Sequence, residues 1–346
     1  MSDVFIQAPE QDVVISSRVR LARNYADLPF SAKQAKEQSE LVISRAQQAL
    51  EAAGQSENYE LKRISDMEED ARSSLVEHHL VSYDLLKYAP RAAALISTGK
   101  TVSIMLNEED HLRIQGLLPG MQLERAAQLA LDADDMLGAS YPFAFDPQWG
   151  YLTSCPTNTG TGMRASVMLH LPALSQNGQM AAVMQAVAKL GLTVRGIYGE
   201  GSEGKGNLYQ LSNQVTLGRS EEDVIRTLSA AAQQMVENER AAREQLEKKD
   251  LLELQDKLFR SWGELTNARL MSAKEFMHRY SDARFAASMG YLPIAQGELD
   301  QLMMDLQPGS LAQDAGRLLS EREGEILRAD RLRDELPGLL HELIEE

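Results

Sequence analysis

Three short clusters in this chain set a reactive or acidic group a few residues from an arginine. Ser154-Cys155-Pro156-Thr157-Asn158-Thr159-Gly160-Thr161-Gly162-Met163-Arg164-Ala165-Ser166 places the sole cysteine in a Gly/Thr loop. The loop ends in Arg164 and runs into an apolar segment expected to be helical. Asn107-Glu108-Glu109-Asp110-His111-Leu112-Arg113 and Arg195-Gly196-Ile197-Tyr198-Gly199-Glu200 are the other two. Near the N-terminus, Ser16-Ser17-Arg18-Val19-Arg20 adds a further pair of arginines. On an extended segment residues two apart share a face, so Arg18 and Arg20 can point at one anion. Arginine suits phosphate because its planar fork donates two parallel hydrogen bonds and keeps its charge. Paired carboxylates can orient a cation and accept a proton from it. Cys155 admits a second chemistry, that of a cysteine hydrolase, which needs a histidine beside the thiol. Taken singly, each of these residues reads as an ordinary surface or salt-bridge group.

The elements that must position them follow from periodicity. Val13-Val14-Ile15, Thr101 to Leu106, Leu192-Thr193-Val194 and Leu208 to Leu211 read as strands by β-branched and aromatic content. Leu123 to Leu137 and Met180 to Leu190 read as amphipathic helices, the second stopped by Gly191. Ser220-Glu221-Glu222-Asp223 resembles a capping box opening a long Gly- and Pro-free stretch. Its charged second half, Glu237 to Asp250, reads as an exposed helix joining two domains. From Leu251 every segment looks helical: Leu251–Trp262, Ser272–Tyr280, Ser281–Met289, Gly297–Leu306 and Glu321–Ile344. Breaks are expected at Gly290, Pro293 and Pro308-Gly309, with a kink at Pro337.

At 346 residues the chain can hold two cores. Its 43% hydrophobic and 25% charged content is that of a soluble globular protein. A formal charge of −16 argues against binding nucleic acid or anionic lipid, which needs a basic face. One cysteine excludes an intrachain disulfide, and neither a secretory signal nor a membrane-spanning run is present, so the expected compartment is the cytoplasm. Gly199-Glu200-Gly201-Ser202-Glu203-Gly204 satisfies G-x-G-x-x-G. It leads into a strand rather than a helix, and its two glutamates would repel a pyrophosphate. It reads instead as a lid carrying Glu200, hinged on its glycines.

Taken together, the clusters resemble the active site of the phosphagen (guanidino) kinases, which move a phosphoryl group from ATP to a guanidinium nitrogen. The resemblance implies an α+β fold: a catalytic domain with an antiparallel sheet flanked by helices (residues 1–235), then an all-α C-terminal domain (236–346). It implies that Arg18, Arg20, Arg113, Arg164 and Arg195 hold the nucleotide phosphates, with His79 near the base. Glu109 and Glu200 match the positions that clamp the guanidinium and draw a proton from it. Cys155 would lie beside that group as a thiolate, assisting without covalent catalysis. Magnesium would arrive with ATP, no direct protein ligand being implied, and Glu108 would reach it through water. Asp110 and His111 read as scaffold.

Ordinary phosphagen kinases carry a helical domain before the Ser-Ser-Arg motif, whereas here Ser16 arrives almost at once. A site without that cover can admit an arginine still attached to a polypeptide. Val194 to Glu203, Leu106 to His111 and Gly150 to Asn158 are similar to the bacterial protein-arginine kinases of the McsB type. That subfamily implies arginine-containing protein substrates, a Clp-type ATPase, a heat-shock repressor, a zinc-binding activator and a homodimer as partners. Its Arg-Asp-x-x-Arg-Ala phosphoarginine motif is degenerate here. The matching stretch is Gly324-Glu325-Ile326-Leu327-Arg328-Ala329, leaving Glu325 and Arg328 as the candidate phosphoarginine site. A free L-arginine kinase and a non-catalytic phosphoarginine-binding adaptor are the alternative readings.

Overall fold

Strand β1 (Val14–Arg23) is the axis of the molecule. Its alternation turns Ser17, Val19 and Leu21 into the core and leaves Arg18 and Arg20 half-buried on the opposite face. The computed structural model describes residues 8–196 and 205–341. Along the chain follow α1 (Lys36–Ala52), β2 (Tyr59–Arg63), α2 (Glu69–Glu77), α3 (Tyr83–Lys87), β3 (Ala93–Ser97), β4 (Val102–Leu106), β5 (Leu112–Pro119) and α4 (Leu123–Ser140). A short hairpin, β6 (Phe145–Asp146) and β7 (Gly150–Tyr151), precedes β8 (Met163–His170), α5 (Pro172–Gln176), α6 (Met180–Ala188), β9 (Leu192–Gly196) and β10 (Leu208–Asn213). The main sheet has eight strands in the order β2-β3-β4-β5-β1-β8-β10-β9. Every neighbouring pair in it is antiparallel.

Helix α4 packs on the core face of β1 and β5. At Gly116 a Cβ would run into the Ala126 carbonyl, so a side chain there would push α4 off the sheet. The segment after the Cys155 loop is strand β8, not the helix expected for it. β8 lies inside the sheet between β1 and β10 and is buried over most of its length. A fully buried strand loses its polar alternation, and periodicity alone cannot then tell it from a buried helix.

Helix α7 (Glu221–Lys249) runs unbroken for 29 residues. Ser220 caps it by accepting the Asp223 N–H at 3.1 Å, and acids in its first turn and lysines in its last complement the helix dipole. The 235/236 boundary read from the sequence falls inside this helix. Its second half is not an exposed linker: Glu239, Ala242, Arg243 and Leu246 are buried. The Glu239 carboxylate accepts the N–H groups of Ala173 and Leu174 at 3.0 Å each and pairs with Arg243. Charges that looked solvated thus satisfy the start of α5.

The C-terminal helices are α8 (Leu251–Asn267), α9 (Ala273–Ser288), α10 (Gln296–Asp305), α11 (Pro308–Ala315) and α12 (Glu321–Glu335). Helix α9 is one helix across the expected junction at Tyr280/Ser281, where buried Ser281 meets His170 Nε2 at 2.8 Å. Pro308-Gly309 starts α11 instead of simply breaking the chain, because proline is tolerated at a first helical position. Beyond α12 a 3-10 turn, Leu336–Leu339, contains Pro337. Arg284 locks these helices to the sheet, pairing with Asp300 at 2.7 Å and donating to the carbonyls of Gln11 and Asp12.

Candidate active site

Cross-strand register collects the arginines on one face. Directly opposed residues in an antiparallel pair share a side of the sheet. Arg20 opposes Arg164 on β8 and Gln115 on β5, Ala22 opposes Arg113, and Arg18 opposes Ser166 and Leu117. On the outer strands Gln210 opposes Met168 and Arg195 opposes Gln210, so Arg195 joins the same face. Arg18 is anchored by a 2.7 Å hydrogen bond to Gln210 Oε1.

Glu108 and Glu109 sit in a tight turn between β4 and β5, closed by Asn107 N–H donating to the His111 carbonyl at 2.9 Å. Asn107 takes φ +60°, a conformation asparagine tolerates, and its side chain donates to the carbonyls of Ser39 and Arg91. Glu108 points inward, ion-pairing Arg113 at 2.8 Å and accepting from the Ser82 hydroxyl. Glu109 is 42% exposed and lies 3.9 Å from Arg113. Burial raises its pKa, with Asp110 adding to the effect and Arg113 opposing it.

The Cys155 loop is held on both sides. Asp110 Oδ1 accepts the Ser154 N–H and the Asn24 side-chain amide, each at 2.7 Å, joining the loop to the Glu109 turn. Arg164 donates to Asn158 Oδ1 and to the carbonyls of Thr157, Asn213 and Gln214 at 2.9–3.1 Å. Half-buried Cys155 lies 3.0 Å from Thr157 Oγ1. His111 is buried, its Nδ1 accepting Tyr25 N–H and its Nε2 facing the Pro29 carbonyl, so it and Asp110 form the scaffold beneath both loops.

His79 follows α2 in a strained backbone, φ +58°. Its carbonyl accepts from Gln115 at 2.7 Å. Burial, aided by Arg18 and His78, pulls its pKa down to about 3, so the ring is neutral at physiological pH. Glu200, and the lid reading of 199–204, lie outside the described residues. Glu325 and Arg328 are not part of this face. Buried Arg328 donates to the carbonyls of Leu306 and Met271 at 2.8 Å each, tying α12 to α10 and to the lead-in of α9. Sequence reasoning missed Asn24, Gln210 and Ser82, which orient the functional side chains. Nothing local marks them, since each acts on a residue distant in sequence, 26 positions away in the nearest case, that of Ser82 and Glu108.

The electrostatics are strongest at Arg20. Burial, then Arg18, Arg113 and Arg164, pull its pKa well down, and among the described residues Glu108 opposes them. Among the described residues its Nε is covered and makes no hydrogen bond. A chain of net charge −16 thus concentrates positive charge on one patch of one face. Such a patch is stabilised by a polyanion, with the acids of the Glu109 turn at one end of the row.

That combination defines a class. Residues 41–242 match the family model of the ATP:guanido phosphotransferase C-terminal catalytic domain, and the chain belongs to this family. The duplicated taurocyamine kinase of Schistosoma mansoni, solved with bound transition-state-analogue components, superposes with a TM-score of 0.59 at 28% identity. That match covers 66% of this chain and 33% of the other. A lombricine kinase superposes at 0.56 with 25% identity, over 67% of each chain. The particular branch follows from the rest of the chain. Residues 251–345 match the protein-arginine kinase McsB C-terminal domain. The protein-arginine kinase of Caldanaerobacter subterraneus subsp. tengcongensis is 43% identical over 94% of this chain and 98% of its own. Those of Geobacillus stearothermophilus and Bacillus subtilis are each 43% identical over 95% of this chain and 92% of theirs.

Proposed function

We propose that this protein transfers the γ-phosphoryl group of ATP to a guanidinium nitrogen of arginine residues in proteins, in the cytoplasm. The observation that carries the reading is the arginine row on one face, with half-buried Arg20 set among three like charges. Arg18, Arg20, Arg113, Arg164 and Arg195 hold and neutralise the phosphates, which is most of what phosphoryl transfer asks of a protein. The guanidinium nitrogen attacks the γ-phosphorus, the bond to the β-phosphate oxygen breaks, and ADP leaves. The proton released from nitrogen passes to one of the carboxylates Glu109 and Glu200, which also orient the acceptor. Cys155 stabilises the cation from the side as a thiolate. Magnesium would arrive with ATP, and Glu108, held by Arg113 and the Ser82 hydroxyl, is the carboxylate that would reach it through water.

The acceptor end is open enough for a side chain carried on a polypeptide. Glu109 is partly exposed, Cys155 is half-buried, and Phe145 and Trp149 are exposed on the hairpin leading into its loop. The same family reading extends to partners: a homodimer, a zinc-binding activator, a heat-shock repressor as substrate, and a Clp-type ATPase that receives marked proteins.

Incubation with MgATP and an arginine-containing protein, followed by mass spectrometry under neutral conditions, is expected to detect acid-labile phosphoarginine. Glu109→Ala and Glu200→Ala are each expected to abolish it, and equal labelling by both variants would refute the assignment. Rapid ADP formation with free arginine but none with protein would favour a free-arginine kinase.

A further inference from the structure

The Ser16 end of the arginine face opens into a cavity of about 740 Å³, the size of a small-molecule site. Its sheet side is formed by Ile15, Ser16, Leu117 and Met168, with His79 at the edge. A narrow cleft lined by Ser16, His79, Leu117 and Met168 continues from it to Arg18 and Gln210. The opposite wall belongs to the C-terminal helices, Gln301 to Asp305 of α10 and Arg331 and Glu335 of α12.

Direction along β1 decides what this space is for. Glu109 and Arg113 lie at the Ala22 end, so the acceptor end of the row is there. Phosphates running from that end past Arg20 to Arg18 leave the remainder of a nucleotide at Ser16, about 7 Å further on at strand spacing. Leu117, Met168 and Leu302 offer flat apolar contact, while Gln301, Lys100 and His79 supply polar edges. That is the chemistry of a heteroaromatic ring joined to a sugar.

A second observation ties the same helices to His79. The Glu77 carboxylate accepts the N–H groups of Gly309 and Ser310, each at 2.7 Å, and so caps α11. Gly309 is needed for that approach, because a Cβ there would strike Ser73 and Glu77. His78 Nε2 meets Asp305 at 3.1 Å. Of three successive residues, two are gripped by the C-terminal helices and the third reaches the arginine face.

We propose that α10 and its neighbours form the second wall of the ATP base-and-ribose pocket, so that the C-terminal helices bind nucleotide directly and position His79. This rests on the reading of the arginine row as a triphosphate site. Photolabelling with 8-azido-ATP, competed by ATP, is expected to mark peptides containing residues 296–305. Label confined to peptides of the sheet would overturn the proposal. Calorimetry with ATP and with inorganic tripolyphosphate separates base from phosphate binding. Gln301→Trp, which fills the cavity from a half-buried position, is expected to weaken ATP by about tenfold or more while tripolyphosphate stays within about twofold. Unchanged ATP affinity in that variant, or equal affinity of the native chain for ATP and tripolyphosphate, would also overturn it. If the native chain bound neither, the triphosphate reading itself would fall.

Discussion

Replacing Arg20 by methionine is expected to stabilise the ligand-free protein and to abolish most of its response to ATP. Among the described residues Arg20 faces Arg18, Arg113 and Arg164, Glu108 is the one opposing charge, and the Arg20 Nε makes no hydrogen bond. Exchanging a fully buried, poorly compensated charge for an apolar side chain of similar length is worth about 1–4 kcal/mol in favour of folding, and Arg20 is half-buried. Because Glu108 keeps Arg113 as partner, the exchange does not strand a carboxylate. The expected gain is therefore at the low end, about 1–2 kcal/mol, or a few degrees in Tm for a protein of this size.

Binding should move the other way. A charge-assisted contact to phosphate contributes about 1.5–3 kcal/mol, and losing a forked donor to the triphosphate costs about 3 kcal/mol, roughly 150-fold in Kd. At an ATP concentration 100 times the native Kd, the native protein gains about 2.7 kcal/mol of stability and the variant only about 0.3 kcal/mol. Denaturant titrations with and without MgATP read both quantities from one preparation. A variant less stable than the native protein without ligand, or stabilised by ATP to the same extent, would show that Arg20 is an ordinary structural arginine.

Three other outcomes follow from the site. Glu109 has a raised pKa, from burial and then Asp110, so the acid limb of kcat/KM should lie above the ordinary carboxylate range near ~4.3, activity falling as the base is protonated. Asp110→Asn removes a neighbouring negative charge and should shift that limb to lower pH; an upward shift would contradict the assignment. Cys155→Ser is expected to lower kcat by on the order of 10² while leaving measurable phosphoarginine formation, and complete loss together with trapped phosphocysteine in the native enzyme would instead mark Cys155 as a nucleophile. At the His78 contact burial disfavours the imidazolium, but Asp305 and the Ser74 carbonyl outweigh burial and the opposing Lys100, raising its pKa. Its stabilisation is thus full below the unfolded value near ~6.5 and lost as pH rises through the folded one, so the stability gap between the native chain and His78→Gln should be wider at pH 6 than at pH 8.5. A gap independent of pH would rule this out.

What was legible in the sequence follows from how local the signal is. Alternation in Ser16-Ser17-Arg18-Val19-Arg20 already put both arginines on one face, and the register of β1 against β8 and β5 made the face common to Arg164 and Arg113. Ser16 and Ser17 looked alike in the sequence. In the fold Ser17 turns inward to the Gly120 carbonyl at 2.8 Å, while Ser16 lines the cavity beside Arg18. Strand β8 was misread as helix because its apolar run is buried on both sides of the sheet. Glu239 and Arg243 looked like a solvated face because composition does not reveal that the start of α5 lies against them. Gln210 and Asn24 could not have been singled out, since each works through a partner remote in sequence, Arg18 and Asp110 respectively.

The arginines of the row are not equivalent, and the difference has a physical use. Arg164 is spent on one side chain and three carbonyls, Arg113 on Glu108, and Arg18 on Gln210. Their charges are fixed in place before any anion arrives, so on the proposed assignment little reorganisation is required when charge develops on a transferring phosphoryl group. The same bonds that fix Arg164 also hold the Cys155 loop, and Asp110 couples that loop to the Glu109 turn. The Cys155 loop, Arg164 and the Glu109 turn are therefore one hydrogen-bonded unit, in which a shift of the loop would displace a charge of the row. Arg20 is the exception: its Nε is packed among like charges and makes no hydrogen bond among the described residues. On the proposed assignment, destabilisation left there in the free protein is relieved when the triphosphate binds, which concentrates the gain from binding at the centre of the row.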